Sequence, residues 1–201
     1  MDYSGLKVAV NEALGRDDTL DFVYEVALAE INRDARIMEM ETATTLTADA
    51  ESTAKPSGWL EAIDLYIETG GYRNFIQPQT TAALDFRRRD SGRPLFYAET
   101  NSALLWLPTP DGSYTVNARY YAENSALVSG SDTNAVLTKY PEYYLYTVLS
   151  HASLANQDDE ARARYATAAE GALARLKQAE IRRKISGPMR PRMARDVSRR
   201  R

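Results

Sequence analysis

The hydrophobic period of this chain changes twice. Apolar residues recur every three to four positions up to about residue 40, alternate from there to about residue 121, and resume the helical period after Pro141. A spacing near 3.6 buries one stripe only on a helix, and a spacing of two buries one face only on a strand. The expected fold class is therefore α+β: a helical bundle of N-terminal helices plus two C-terminal helices, the last one long, with an inserted antiparallel β-rich subdomain and an extended C-terminal arm. The expected division is a helical body at 1–40 and 139–185, a β-rich subdomain at 41–124, a loop at 125–138 and a basic arm at 186–201.

The helices have punctuation as well as period. Leu6, Val10, Ala13 and Leu14 form one stripe, and Gly15 offers a C-terminal stop. Asp17, Asp18 and Thr19 supply caps for a second helix, in which Leu20, Val23, Tyr24, Ala27, Leu28 and Ile31 align. Phe22, Val26 and Ala29 give that helix a second apolar face, which predicts packing in a core or against a neighbouring subunit. Pro141 suits the first turn of a helix carrying Leu145, Val148, Leu149 and Ala152. Tyr143, Tyr144 and Tyr146 lie on it as candidate anchors of a protein interface or of a core. Asn156 and Gln157 break this helix. Asp158, Asp159 and Glu160 open the last one, which is expected to run to about Ile185 along Ala161, Tyr165, Ala168, Ala169, Ala172, Leu173 and Leu176. Gly187 and Pro188 end it.

In the middle, five to seven short strands are expected. Trp59, Ile63, Leu65 and Ile67 fall on one face of a strand, and Gly70-Gly71 turns it. Leu84 and Phe86 alternate before Arg87, Arg88 and Arg89. Leu95 to Tyr97 and Ala103 to Leu107 follow, and Asp111-Gly112 has the chemistry of a hairpin turn before Tyr114, Val116, Ala118 and Tyr120.

The net charge of −3 conceals an asymmetry. Residues 182–201 hold nine Lys or Arg against Asp196 alone, a net of +8, so residues 1–181 carry −11. A basic segment on an acidic body docks on an acidic protein surface or on nucleic acid. Met189, Pro191, Met193 and Val197 intersperse the cations, and no aromatic residue is present there to stack on bases. This favours a peptide lying in a protein groove. A nucleic-acid-binding module remains the alternative.

Little here points to catalysis. The chain has no cysteine and one histidine, His151, placed inside an amphipathic helix. No phosphate loop, paired-histidine zinc motif or calcium loop occurs. Asp158 to Glu160 read as a charged helix start rather than a metal site. Glu39 with Glu41, and Asp49 with Glu51, read as solvated pairs. The expectation is a non-enzyme with no catalytic residues, no metal and no cofactor. Neither a signal peptide nor a membrane span is read.

The order of elements carries a resemblance. Glu30-Ile31-Asn32-Arg33-Asp34-Ala35-Arg36-Ile37 closes a helix before the β-rich middle. Tyr140-Pro141-Glu142-Tyr143-Tyr144-Leu145-Tyr146 follows it, then Asp158-Asp159-Glu160-Ala161-Arg162 opens the alanine-rich helix that ends in Arg182-Arg183-Lys184. Over about residues 17–187 this resembles the head–tail adaptor proteins of tailed bacteriophages, especially those of short-tailed virions. The resemblance implies a homo-oligomeric ring, dodecameric in that family, assembled in the host cytoplasm beneath the portal protein. Such a ring extends the DNA channel, passes genomic DNA without sequence-specific binding, and holds tail nozzle or fibre proteins. It implies a portal-docking arm comprising Arg182, Arg183, Lys184, Met189, Arg190, Arg192, Met193, Arg195, Arg199, Arg200 and Arg201. Phe22, Val26, Ala29, Tyr143, Tyr144 and Tyr146 are the expected subunit interface.

Overall fold

The computed structural model describes residues 1–15, 21–85 and 90–185. The expected caps at Asp17, Asp18 and Thr19, the residues Leu20 and Phe86, the arginines at 87–89, and the segment from Ser186 to Arg201 lie outside the described residues.

The N-terminal period folds as α1 (Tyr3–Leu14) and α2 (Asp21–Asp34). Asp2 caps α1 by accepting from the Gly5 N–H, and Gly15 ends it at φ 63°. A left-handed residue there costs glycine little, because it has no Cβ. A short 3₁₀ turn, Met38–Met40, leads into the strands. In the C-terminal part α4 (Ala135–Lys139) precedes α5 (Pro141–Ala155) and α6 (Asp159–Lys184). Residues 135–138, expected as the end of a loop, are helical: Asn134 caps them by accepting from the Leu137 N–H, and Val136 and Leu137 are buried in the helical core. At 26 residues α6 is roughly 39 Å long at ~1.5 Å per residue.

The helices share one core around α5. Leu6 and Val10 reach it from α1, Val23, Tyr24, Ala27 and Ile31 from α2, and Ala172 and Leu176 from α6. Tyr143 and Tyr144 sit inside it. Burial pushes the Tyr144 hydroxyl up to about 12 and holds that of Tyr143 well above its ordinary value.

Seven strands form the middle: β1 (Glu41–Ala48), β2 (Ser52–Ala54), β3 (Trp59–Thr69), β4 (Tyr72–Pro78), β5 (Phe96–Glu99), β6 (Ala103–Leu107) and β7 (Tyr114–Ala122). Their order is β1-β7-β3-β4-β5-β6-β2, antiparallel except for the short parallel pair β4–β5. The sheet curls around a second core of Leu46, Leu65, Ile67, Ile76, Tyr97, Leu104, Trp106, Val116 and Ala118. Its end strands β1 and β2 are consecutive in sequence, and the Thr53 hydroxyl of β2 donates to the Thr47 carbonyl of β1 at 2.8 Å.

Three details depart from the sequence reading. First, β3 is not one regular alternation. Bulges between Trp59 and Glu61 and between Ala62 and Asp64 each add a residue, so Trp59, Ala62, Leu65 and Ile67 share the face toward the sheet core. Ile63, expected on that face, instead packs with Leu60 on the helical core. Second, the segment 81–85 is α3 (Thr81–Asp85) and not a strand. Its Leu84 packs with Ala98 and Leu107 on the outer side of β5 and β6. Third, Asp111-Gly112 makes no hairpin, because β6 pairs with β5 and β2 while β7 pairs with β1 and β3. Gly70-Gly71 does make one, joining Thr69 to Tyr72 with φ of 59° and 79°.

Candidate assembly site

The end of α6 crosses the seam between the two cores, where the chain passes from α2 through Met38–Met40 into β1. Residues 181–185 are exposed there, while Glu180 just before them is buried. Glu180 is 3% exposed and has three partners. Its carboxylate accepts from the Met38 N–H at 2.8 Å, from the Tyr140 hydroxyl at 2.6 Å and from Arg183 at 2.6 Å. Burial alone would raise its pKa. The donors outweigh that and hold it below the usual carboxylate range.

Arg183 also forks onto Glu39, with bonds of 3.0 and 2.7 Å. That bidentate contact holds Glu39 down to about 2, aided by Lys139 at 3.5 Å. Lys184 pairs with Glu41 at 3.0 Å and donates to the Tyr121 hydroxyl. Arg36 lies over the other side of the seam, bonding Glu61 at 3.0 Å and the carbonyls of Asn32 and Ala35. This polar clasp joins α6, the 3₁₀ turn, β1, β3 and β7.

The clasp revises two expected roles. Arg183 and Lys184 were expected in a docking arm, yet both are bound to the chain's own body. Glu39 and Glu41 are not a solvated pair, since each holds a different cation. Of the docking residues in the described part, Arg182 alone points to solvent without a described ion pair. Met189, Arg190, Arg192, Met193, Arg195, Arg199, Arg200 and Arg201 lie outside the described residues. The sequence reading missed Glu180. Its signal was a carboxylate on the apolar stripe four residues after Leu176.

The expected subunit interface also divides. Phe22 and Val26 are 52% and 45% exposed on the outer face of α2, with Ala29 a turn further along. Tyr143 and Tyr144 cannot serve a neighbour, because their surfaces are already consumed by the helical core. Tyr146 packs partly against that core. His151 bonds Glu30 at 2.7 Å, tying α5 to α2. Asp158 caps α6 by accepting from the Ala161 N–H at 2.9 Å, as a helix start would. Among the described residues no group of three or more His, Asp or Glu is placed to hold a metal, and no helix is long and apolar enough to cross a membrane.

A polar clasp built on one buried carboxylate, an apolar helix face left open and two joined cores are features of a part built for contact. The sequence matches the family described as SU10 adaptor protein over residues 1–192. The chain belongs to the SU10 adaptor protein family. It is a structural adaptor of the bacteriophage virion, in the head–tail class. The match runs past Pro188, where the resemblance read from the sequence had stopped, and so includes the first residues of the basic segment. No curated protein matches the sequence.

Proposed function

We propose that this adaptor forms a ring, dodecameric as the resemblance implies, beneath the portal of a short-tailed phage. The ring would extend the DNA channel and offer the attachment site for tail nozzle or fibre proteins. The observation that carries this reading is the family match across nearly the whole chain. One structural feature supports it. A ring needs two different patches on each subunit, since its contacts are heterologous. The open stripe of Phe22, Val26 and Ala29 on α2 supplies an apolar patch that the subunit's own core does not use.

The division of labour follows from the two cores. The helical body of 1–40 and 139–185 builds the ring, and the β-rich part at 41–124 faces the tail components. The basic residues after the clasp dock on the portal, with Met189 and Met193 as apolar anchors. Genomic DNA passes through without sequence-specific contact. Assembly takes place in the host cytoplasm, before the particle is complete.

The test is co-expression with the portal protein of the same phage. The full chain is expected to give a stable ring complex by electron microscopy. A chain ending at Ile185 keeps the clasp, and is expected to keep its fold and bind the portal at least tenfold more weakly. Equal binding by the two chains would refute the docking segment. Duplex DNA binding by the isolated chain, falling steeply with salt, would favour the nucleic-acid reading instead.

A further inference from the structure

The half of the sheet ordered β1-β7-β3-β4 has two long edges that nothing described covers. On the β4 side, pairing with β5 involves Gln77 and Pro78 only, so among the described residues no strand lies on the outer side of residues 72–76. On the β1 side, β2 touches only the far end, through Thr53 and Thr47. Exposed edges are usually blunted by proline, lysine or a covering element. Residues 42–46 are Thr-Ala-Thr-Thr-Leu, and 72–76 are Tyr-Arg-Asn-Phe-Ile, so neither edge has proline or lysine. Tyr72 is 78% exposed and Phe75 59% exposed.

The directions of the free backbone groups follow from the register. The two-residue turn makes Thr69 and Tyr72 a hydrogen-bonded pair. Antiparallel alternation then makes Ile67 and Asn74, and Leu65 and Ile76, hydrogen-bonded pairs as well. Arg73, Phe75 and Gln77 therefore aim their N–H and C=O groups away from β3. The Gln77 N–H indeed reaches the Leu95 carbonyl at 2.9 Å. The same alternation carried through β7 turns the groups of Ala43, Thr45 and Thr47 away from it. The Thr47 carbonyl is the one that Thr53 takes, as this requires. Among the described residues, the backbone groups of Ala43 and Thr45 on β1, and of Arg73 and Phe75 on β4, that point away from the sheet have no partner.

We propose that β4 of one subunit pairs antiparallel with β1 of the next copy of this chain, with Ala43 opposite Phe75 and Thr45 opposite Arg73. The proposal rests on the ring reading and gives that ring a backbone contact. Three features fit. β1 and β4 run in opposite directions within the sheet, so a rotation about an axis along the strands brings them together antiparallel without inverting either. The free groups on both edges belong to residues whose side chains lie on the outer face, opposite Leu46 and Ile76 of the core, so paired residues share a face. The contact is heterologous and repeats at every subunit, as ring closure needs. Phe75, already against Tyr66, and Arg73, stacked over the Tyr66 ring at 4.8 Å, would then lie beside the threonines of the next copy.

Disulfide trapping tests this, because the chain has no cysteine of its own. The double variant Thr45→Cys with Arg73→Cys covers the stated register. Thr45→Cys with Phe75→Cys covers a slip of two. Within one chain these positions are three strand spacings apart, about 14 Å at ~4.8 Å each, too far to bridge. In rings assembled with the portal, oxidation is expected to give a ladder of covalent multimers, while each single variant stays monomeric on a denaturing gel. Phe75→Pro removes a free N–H without breaking a bond to β3, and is expected to abolish rings while the circular dichroism stays that of the parent. Rings without a ladder in either register overturn the edge pairing and leave the ring reading standing. Parent-level rings from Phe75→Pro do the same. Failure of the parent chain to form rings at all overturns both.

Discussion

The helical body and the curled sheet bury comparable apolar side chains by different means. In the body, each helix gives one stripe to a core centred on α5, and the stripe is continuous in the sequence pattern. In the sheet, β3 and β7 serve two masters. Leu65, Ile67, Val116 and Ala118 face the sheet core, while Leu60, Ile63 and Tyr121 face the helices. The two bulges in β3 make this possible, since each moves the following residues to the opposite side. A regular strand would put Ala62 on the face opposite Trp59 and Leu65, and Ile63 on the same face as both; the bulges reverse that assignment. The difference shows that the two parts are joined through shared strands as well as through the clasp, and they should lose structure together.

The strongest way to break that comparison is to damage the sheet core and watch the helices. Trp106 is almost fully buried, and its indole N–H donates to Thr53 at 2.9 Å. Trp106→Ala is expected to cost about 4 kcal/mol. Thermal unfolding followed by helical circular dichroism and by tyrosine absorbance should give one shared, lowered midpoint. Two separated midpoints would show the parts to be independent.

A smaller effect is expected at the clasp. Glu180→Ala leaves the Met38 N–H and the Tyr140 hydroxyl without their acceptor and takes one of its two carboxylates from Arg183, at a cost of about 3 kcal/mol in urea unfolding. Glu180→Gln, which keeps an acceptor oxygen, should cost less. Equal losses would assign the role to charge rather than to hydrogen bonding.

The smallest effect is a pH dependence that sharpens the picture of the seam. Glu39 is held near 2 by Arg183, below the usual carboxylate value of 4.5. A depressed folded-state pKa gives stability that is present above the unfolded value and lost as pH falls through the folded one. Denaturant midpoints of the parent and of Glu39→Gln should therefore differ at pH 6. The gap should narrow between pH 4.5 and 2 as Glu39 protonates. A gap independent of pH over that window would remove Glu39 from the clasp.

Much of the helical part was legible because its punctuation is local. Gly15, Pro141 and Asp158 act within a turn of their own positions, and Gly70-Gly71 marks a hairpin without reference to anything distant. The sheet was less legible because its decisive features are nonlocal. Period two cannot reveal where a bulge resets the faces, since Ile63 and Ala62 are both apolar enough for either side. Asp111-Gly112 has hairpin chemistry, yet its flanking strands belong to different neighbours. At the candidate site, the open stripe on α2 could be read from Phe22 and Val26. The buried state of Tyr143 and Tyr144 could not, because a tyrosine suits a core and an interface equally well. The clasp was hidden most completely, since Glu39 and Arg183 are distant in sequence and each looks solvated alone.

The clasp also sets how the molecule would bear tension. Whatever pulls on the chain beyond Ile185 acts first on Lys184 and Arg183, which are fastened to Glu41 and Glu39 at the root of β1. The load then spreads across several bonds stretched side by side, and is shared with a strand hydrogen-bonded along its length to β7. Without the clasp the same pull would act on the last turn of α6 alone and peel it from α5 one turn at a time. A joint loaded in shear is harder to part than one that unzips, and this adaptor places that joint where its basic segment begins.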